Sequence, residues 1–222
     1  MATYSVSRGF RWQGDVTDKV TQLCRMFGLT LERLTGRSVR HTMQLHINDG
    51  DIVYITGPSG AGKSVLLREL ENAVPASQSV NLARISLPSD RTVIDCIKGE
   101  LLAGLKMLSI AGLNDCFCYL NQPANLSDGE KYRFRLAKAL TRSARFIFAD
   151  EFCSELDRVT AAVISHRLHT FAKQSGTTFV LASSHDDILL DLAPDVLVVK
   201  HLSGPADVIY KRSGRCEFTT QK

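Results

Sequence analysis

No apolar stretch in this sequence approaches the roughly 20 residues that a membrane-spanning helix needs. The opening run Met1-Ala2-Thr3-Tyr4-Ser5-Val6-Ser7-Arg8 lacks the apolar core of a secretion signal. Both absences favour a cytoplasmic setting. Cysteine is present without a framework: Cys24, Cys96, Cys116, Cys118, Cys153 and Cys216 are scattered, and only Cys116 and Cys118 lie close. C-x-C with neither a second pair nor a nearby histidine is a poor zinc pattern, so reduced and largely buried thiols are expected. Neither sign of charge dominates. With 27 Lys and Arg against 23 Asp and Glu, the net +4 permits contact with nucleic acid or an anionic membrane face without demanding either. Internal repeats and low-complexity linkers are missing too. What is present is 222 residues, 44% of them hydrophobic, enough for one large domain or a core with a small subdomain.

The chain is organised around Gly57-Pro58-Ser59-Gly60-Ala61-Gly62-Lys63-Ser64. An apolar run, Ile52-Val53-Tyr54-Ile55-Thr56, precedes it, and a helix-like run from Val65 to Leu70 follows. Strand, Gly-rich loop and helix in that order are the context of a phosphate-binding loop. The glycines let the backbone approach an anion, and successive N–H groups together with the helix N-terminus point at it. Lys63 supplies a positive charge for the terminal phosphates of ATP, and the Ser64 hydroxyl can ligate Mg²⁺.

The flanks read as alternating strands and helices. Phe10 and Trp12 alternate with polar neighbours in a short strand. Val16 to Phe27 has helical spacing, ending at Gly28. His41, Met43, Leu45 and Ile47 form one face of a strand that turns at Asn48-Asp49-Gly50-Asp51. Val80 to Leu87 reads as a strand and Thr92 to Leu108 as a helix. After Leu126-Ser127-Asp128-Gly129-Glu130 comes a basic helix, Lys131 to Thr141. The strand Arg145 to Ala149 ends in Asp150 and Glu151. A helix near 157–174, a strand from Thr177 to Ser183, a short helix and the strand Val196 to Lys200 complete the pattern. Continuous apolar strands alternating with helices predict an α/β fold with a parallel sheet covered on both faces.

Phe146-Ile147-Phe148-Ala149-Asp150-Glu151 looks like a Walker B strand, with Asp150 placed for Mg²⁺ and Glu151 for the attacking water. With Leu126-Ser127-Asp128-Gly129-Glu130 before it, Ser154-Glu155-Leu156-Asp157 after it and His185 ending the next strand, the chain resembles the ABC-type ATPases over about residues 45–201. The resemblance implies a P-loop NTPase with a RecA-like parallel-sheet core, an N-terminal antiparallel β portion and a reduced helical subdomain. It divides a single domain into residues 1–50 (N-terminal β portion), 51–87 and 145–201 (P-loop core), 88–144 (short helical subdomain) and 202–222 (C-terminal tail). It further implies a head-to-tail homodimer with ATP sandwiched between the chains. One chain would offer Gly57 to Ser64 with Val65, Asp150, Glu151 and His185. The other would offer Ser127, Asp128, Gly129 and Glu130 at a helix N-terminus, with Asp157 coupling the two sites. The family's adenine-stacking aromatic is assigned to Phe27.

The chain departs from the family pattern in places. Asp128 stands where the signature has glycine, and Glu130 where it has glutamine. The Q-loop glutamine is missing, with Ser89 or Asp90 at that place after Leu87-Pro88, and the stretch from Ser64 to Leu126 is short. These features disfavour a transporter subunit with a membrane partner. They favour a stand-alone ATPase acting on an unknown protein, similar to a group that sometimes occurs fused to an acetyltransferase-like domain. Two alternatives stay open: a transporter subunit, and a DNA- or RNA-associated ATPase using Lys131, Arg133, Arg135, Lys138, Arg142 and Arg145.

Overall fold

A computed structural model describes residues 2–36, 38–211 and 218–220. The chain runs β1 (Ala2–Arg11), α1 (Asp18–Met26), α2 (Leu31–Gly36), β2 (Ser38–Ile47), β3 (Ile52–Thr56), α3 (Lys63–Asn72) and β4 (Ser79–Asn81). It continues through α4 (Leu101–Ile110), α5 (Cys116–Leu120), α6 (Asp128–Leu140), β5 (Phe146–Ala149), α7 (Arg158–Ser175), β6 (Thr178–Ala182), α8 (Leu189–Leu192), β7 (Val196–Lys200), β8 (Ala206–Lys211) and β9 (Phe218–Thr220).

β1 and β2 form an antiparallel ribbon, in register from Ala2 opposite Ile47 to Arg11 opposite Ser38. The other strands make one sheet in the order β4-β5-β6-β3-β7-β8-β9. β4, β5, β6, β3 and β7 are parallel, and β8 and β9 add antiparallel at one edge. This is the parallel-sheet α/β fold that the strand–helix alternation predicts, in the P-loop NTPase form that the resemblance implies.

β3 is buried throughout because both of its faces are covered. Its side chains divide with a period of two. Ile52 and Tyr54 join the core under α6 and α7, while Val53 and Ile55 join the core that α3 and the β1–β2 ribbon close. β3 therefore lies in the middle of the molecule, and the phosphate loop leaves from its carboxyl end, where α/β sheets bind ligands.

Several expectations need correction. Residues 82–84 form a 3₁₀ turn instead of continuing β4, because the Asn81 side chain accepts from the Ala83 N–H at 3.0 Å. The helix expected over Thr92–Leu108 is a 3₁₀ turn at Ile94–Cys96 followed by α4, with Gly99 between them at φ +102°. β1 is far longer than the short strand expected around Phe10, and α2 was not anticipated. Residues 202–222 are more than a tail, since β8 pairs with β7 along five residues from Val196 opposite Tyr210 to Lys200 opposite Ala206. Cys216 lies outside the described residues.

Candidate functional site

The phosphate loop is held by contacts that only glycine permits at two positions. Gly57 has φ +136°, and a Cβ there would lie 2.1 Å from the Lys200 carbonyl oxygen of β7. Gly62, at φ +97°, lies against the His41 ring of β2, which a Cβ would approach to 2.4 Å. Gly62 is also the residue before α3, so the loop opens directly onto that helix's N-terminus. The Lys63 ammonium donates to the carbonyls of Gly57 at 2.8 Å and Pro58 at 3.1 Å. Within the loop Ala61 is buried, and the Val65 N–H donates back to the Gly62 carbonyl at 3.1 Å.

A cavity of about 380 Å³ opens beside this loop. Ser59, Gly60, Gly62, Lys63, Ser64, Asp150 and Glu151 line it, together with Ser154 and residues 182–184 at the end of β6. The structure thus brings the loop and the two carboxylates of the Walker B-like strand into one place. A hydroxyl from Ser64 and a carboxylate from Asp150 in one cavity are hard oxygen donors, the set that suits Mg²⁺ shared with phosphate and water.

The turn after β5 is strained. Glu151 has φ +50° and Cys153 φ +58°, both in the left-handed region that non-glycine residues rarely occupy. Three hydrogen bonds hold it there. Asp150 Oδ1 accepts from the Glu151 N–H at 3.1 Å, the Ala182 carbonyl accepts from Phe152 at 2.8 Å, and the buried Tyr132 hydroxyl accepts from Cys153 at 3.1 Å. Burial pushes the Cys153 thiol up to about 12, so it is a packing group here. Backbone strain fixed by its surroundings is common where a carboxylate must be aimed.

The loop after β6 is tied to β3. The Tyr54 hydroxyl donates to the His185 carbonyl, and burial raises the pKa of that hydroxyl. Thr56 donates to the Asp186 carboxylate. His185 itself is exposed and lies outside the cavity lining, which Ser183 and Ser184 occupy instead.

The signature residues do not reach this cavity. Ser127 caps α6 in a reciprocal box: its hydroxyl accepts from the Glu130 N–H at 3.3 Å, and Glu130 Oε2 accepts from the Ser127 N–H at 2.8 Å. The Cys118 thiol of α5 donates to Glu130 Oε1 at 3.0 Å. That thiol contact and the Ser127 bonds hold the Glu130 carboxyl down at about 2. Burial and the same carboxylate push Cys118 up to about 11. Asp128 projects outward, its side chain 88% exposed, and pairs with Lys131 at 3.7 Å. Gly129 backs onto the loop before α7, where a Cβ would lie 3.3 Å from Leu156 Cδ2. Asp157 caps α7, accepting from the Thr160 N–H at 2.9 Å, and that bond lowers its pKa.

Phe27 does not line the cavity. It is the exposed residue that ends α1, and the aromatic ring observed against the phosphate loop is that of His41. The Phe10 ring meets the His41 ring edge-on at 5.9 Å, and His41 touches Gly62. The alternation of His41 with Met43 and Leu45 marks His41 as facing inward. Its place against the loop depends on how the ribbon lies over α3. Ser89 and Asp90 are exposed and also outside the cavity.

The family model described as ABC transporter matches residues 40–98. The aliphatic sulfonates import ATP-binding protein SsuB 1 of Paracoccus denitrificans (strain Pd 1222) is 31% identical over 199 residues, covering 82% of this chain and 78% of that protein. The methionine import ATP-binding protein MetN of Streptococcus agalactiae serotype III (strain NEM316) is 31% identical over 197 residues, covering 71% of this chain. The chain spans about half of that relative's length, 55%. Among solved structures, a dimeric ATP-binding cassette in a post-hydrolysis state with ADP and Pi superposes with a TM-score of 0.61 at 19% identity, covering 79% of this chain and 89% of that one.

Proposed function

Because the chain belongs to the family of ABC ATP-binding cassettes, we propose that it binds Mg-ATP between two copies arranged head to tail and hydrolyses it. The observation that carries this reading is the single cavity holding Lys63, Ser64, Asp150 and Glu151. Lys63, the loop N–H groups and the N-terminus of α3 bind the phosphates. Ser64 and Asp150 hold the Mg²⁺, which supplies charge neutralisation on the phosphate oxygens. Glu151, aimed by its strained turn, takes up the proton of the attacking water or orients it. His185 follows directly on the cavity-lining Ser184 and is exposed, placed to act on the γ-phosphate side of the site. Ser127 and Gly129 line no part of their own chain's cavity, which suits a role opposite a second copy's phosphate loop, with Asp157 beside them.

The relatives named as import ATP-binding proteins favour work as the ATP-driven subunit of a membrane import complex, against the expectation from the missing Q-loop glutamine. Leu101 and Leu102, 60% and 79% exposed at the start of α4, offer an apolar surface on the helical subdomain. A soluble partner is the second reading, favoured by Ser89 and Asp90 at the Q-loop place. The likeness to acetyltransferase-fused members rests on the run from Leu126 to Asp157 alone. Of the six cations of the nucleic-acid reading, two are paired with carboxylates and two more are tied to backbone carbonyls, which thins that basic face. Lys131 pairs with Asp128, Arg133 donates to the Gly129 and Gly112 carbonyls, Lys138 to Ser86, and Arg145 pairs with Asp49.

Glu151→Gln tests the reading. ATP turnover should fall by about a hundredfold or more, while an ATP-dependent dimer accumulates in sedimentation. Turnover at the wild-type rate would overturn the assignment. Co-purification of the trapped form with an integral membrane protein separates the import reading from the soluble one.

A further inference from the structure

The β1–β2 ribbon is not closed by a tight turn. Between Arg11 and Ser38 the chain builds α1 and α2, and among their described residues only Cys24 is buried. Leu23, Met26 and Phe27 fall at spacings of three and four, on one face of α1 and its end. They are 55%, 81% and 71% exposed, and Leu29 and Leu31 extend the patch. An apolar surface of this kind on a soluble domain marks a contact site.

Its place is fixed by the ribbon. His41 abuts Gly62 and pairs in register with Arg8. The ribbon then runs on to Arg11 opposite Ser38, three residues or about 10 Å further. α1 and α2 therefore branch from the ribbon end that lies nearest the phosphate loop. A second apolar patch, Phe117 and Leu120 of α5, stands just before the signature serine, 77% and 68% exposed. The two patches differ in charge. From Leu113 to Glu130 the chain carries Asp115, Asp128 and Glu130 with no Lys or Arg, whereas Arg25 directly precedes Met26 and Phe27 at the end of α1, the acidic Asp18 and Glu32 standing at the starts of α1 and α2.

We infer that the α1–α2 insertion of each protomer docks on α5 of a second copy, with Phe27 and Met26 against Phe117 and Leu120 and Arg25 facing Asp115. This rests on the head-to-tail arrangement proposed above. There the phosphate loop of one copy faces Ser127 of the other, so the rim of the first motif meets the flank of the second. The contact closes the site at its edge and makes dimerisation depend on a surface outside the nucleotide-binding motifs.

The test uses the full chain carrying Glu151→Gln with saturating Mg-ATP. A photoreactive phenylalanine analogue at position 27 should crosslink, only with ATP, to residues 113–126 of an isotopically labelled second copy. Replacing Met26 and Phe27 by serine, or Phe117 and Leu120 by serine, should weaken ATP-dependent dimerisation at least tenfold with monomer nucleotide affinity unchanged. Arg25→Glu should weaken it too, and adding Asp115→Arg should restore it. A dimer whose affinity ignores these changes, or a crosslink to the same chain, a lipid or another protein, overturns the docking while leaving the dimer intact. Absence of any ATP-dependent dimer overturns the head-to-tail reading and the docking together.

Discussion

The carboxylate of Glu130 ties the start of α6 to α5, and its worth to the fold can be read by acid titration. It accepts from Cys118 Sγ, from the Ser127 N–H at 2.8 Å and from the Ser127 hydroxyl at 2.8 Å. These bonds favour the charged form and lower its pKa from 4.5 to about 2. A depressed carboxylate contributes stability that is complete above its unfolded value and is lost as pH falls through the folded one. The window here runs from about pH 5 down to about pH 2. Linkage at full effect removes about 2 kcal/mol between pH 5.5 and pH 3, and solvent reaching the carboxylate reduces this to about 1 kcal/mol. Glu130→Gln keeps the shape of the capping box and removes the titration. Urea unfolding of both proteins at pH 5.5 and pH 3 provides the measurement. The wild-type advantage over the variant should shrink by about 1 kcal/mol at the lower pH. Every other acidic group titrates alike in the two proteins and drops out of the difference. An advantage that is the same at both pH values would refute the argument, because the three bonds would then contribute nothing specific to the charged form.

Gly57→Ala should lower the melting temperature by about 6–12 °C, combining positive-φ strain of about 1 kcal/mol with overlap on the Lys200 carbonyl of about 2 kcal/mol. Gly60→Ala, where no heavy atom lies within 4 Å of the added carbon, should cost only the strain, about 2–4 °C by the same scan. Tyr132→Phe leaves the buried Cys153 N–H without its acceptor. It should cost about 1–3 kcal/mol in denaturant unfolding and slow ATP turnover by loosening the turn that aims Glu151. Asp128→Gly removes an acidic side chain from the first turn of α6. It should tighten ATP-dependent dimerisation about threefold to fivefold in sedimentation, more at low salt than at high.

What could be read from sequence is what local chemistry dictates. The phosphate loop was readable because its conformation demands glycine at fixed places, and Gly57 against the Lys200 carbonyl shows the demand at its strictest. The Walker B-like strand was readable because four buried apolar residues must end where Asp150 and Glu151 meet solvent. Pairings across the chain were not readable. Cys118 meets Glu130 because α5 folds back onto the first turn of α6, and Tyr132 reaches Cys153 across the core. The helix expected across Thr92–Leu108 has the right composition on both sides of Gly99, but φ +102° there breaks it. Phe27 has the right place upstream of the loop in sequence. Distance along the chain says nothing of how the ribbon lies, and it is the ribbon that brings His41 to Gly62, with Phe10 against His41.

The same features explain how this signature departs from its family without losing its helix. Ser127, Asp128 and Glu130 make a strong start for α6: a reciprocal cap plus two acidic side chains on the positive end of the helix dipole. Those acidic groups weaken the helix N-terminus as a phosphate site, because they answer the dipole that an anion would otherwise meet. Lys131, which lies beside Asp128, offsets part of that charge. In the proposed dimer, a signature built this way would combine a stable helix with a weaker grip on a second copy's γ-phosphate. Closure of that dimer would then draw on contacts beyond the nucleotide, which is the part the proposed docking of the exposed α1–α2 face would play.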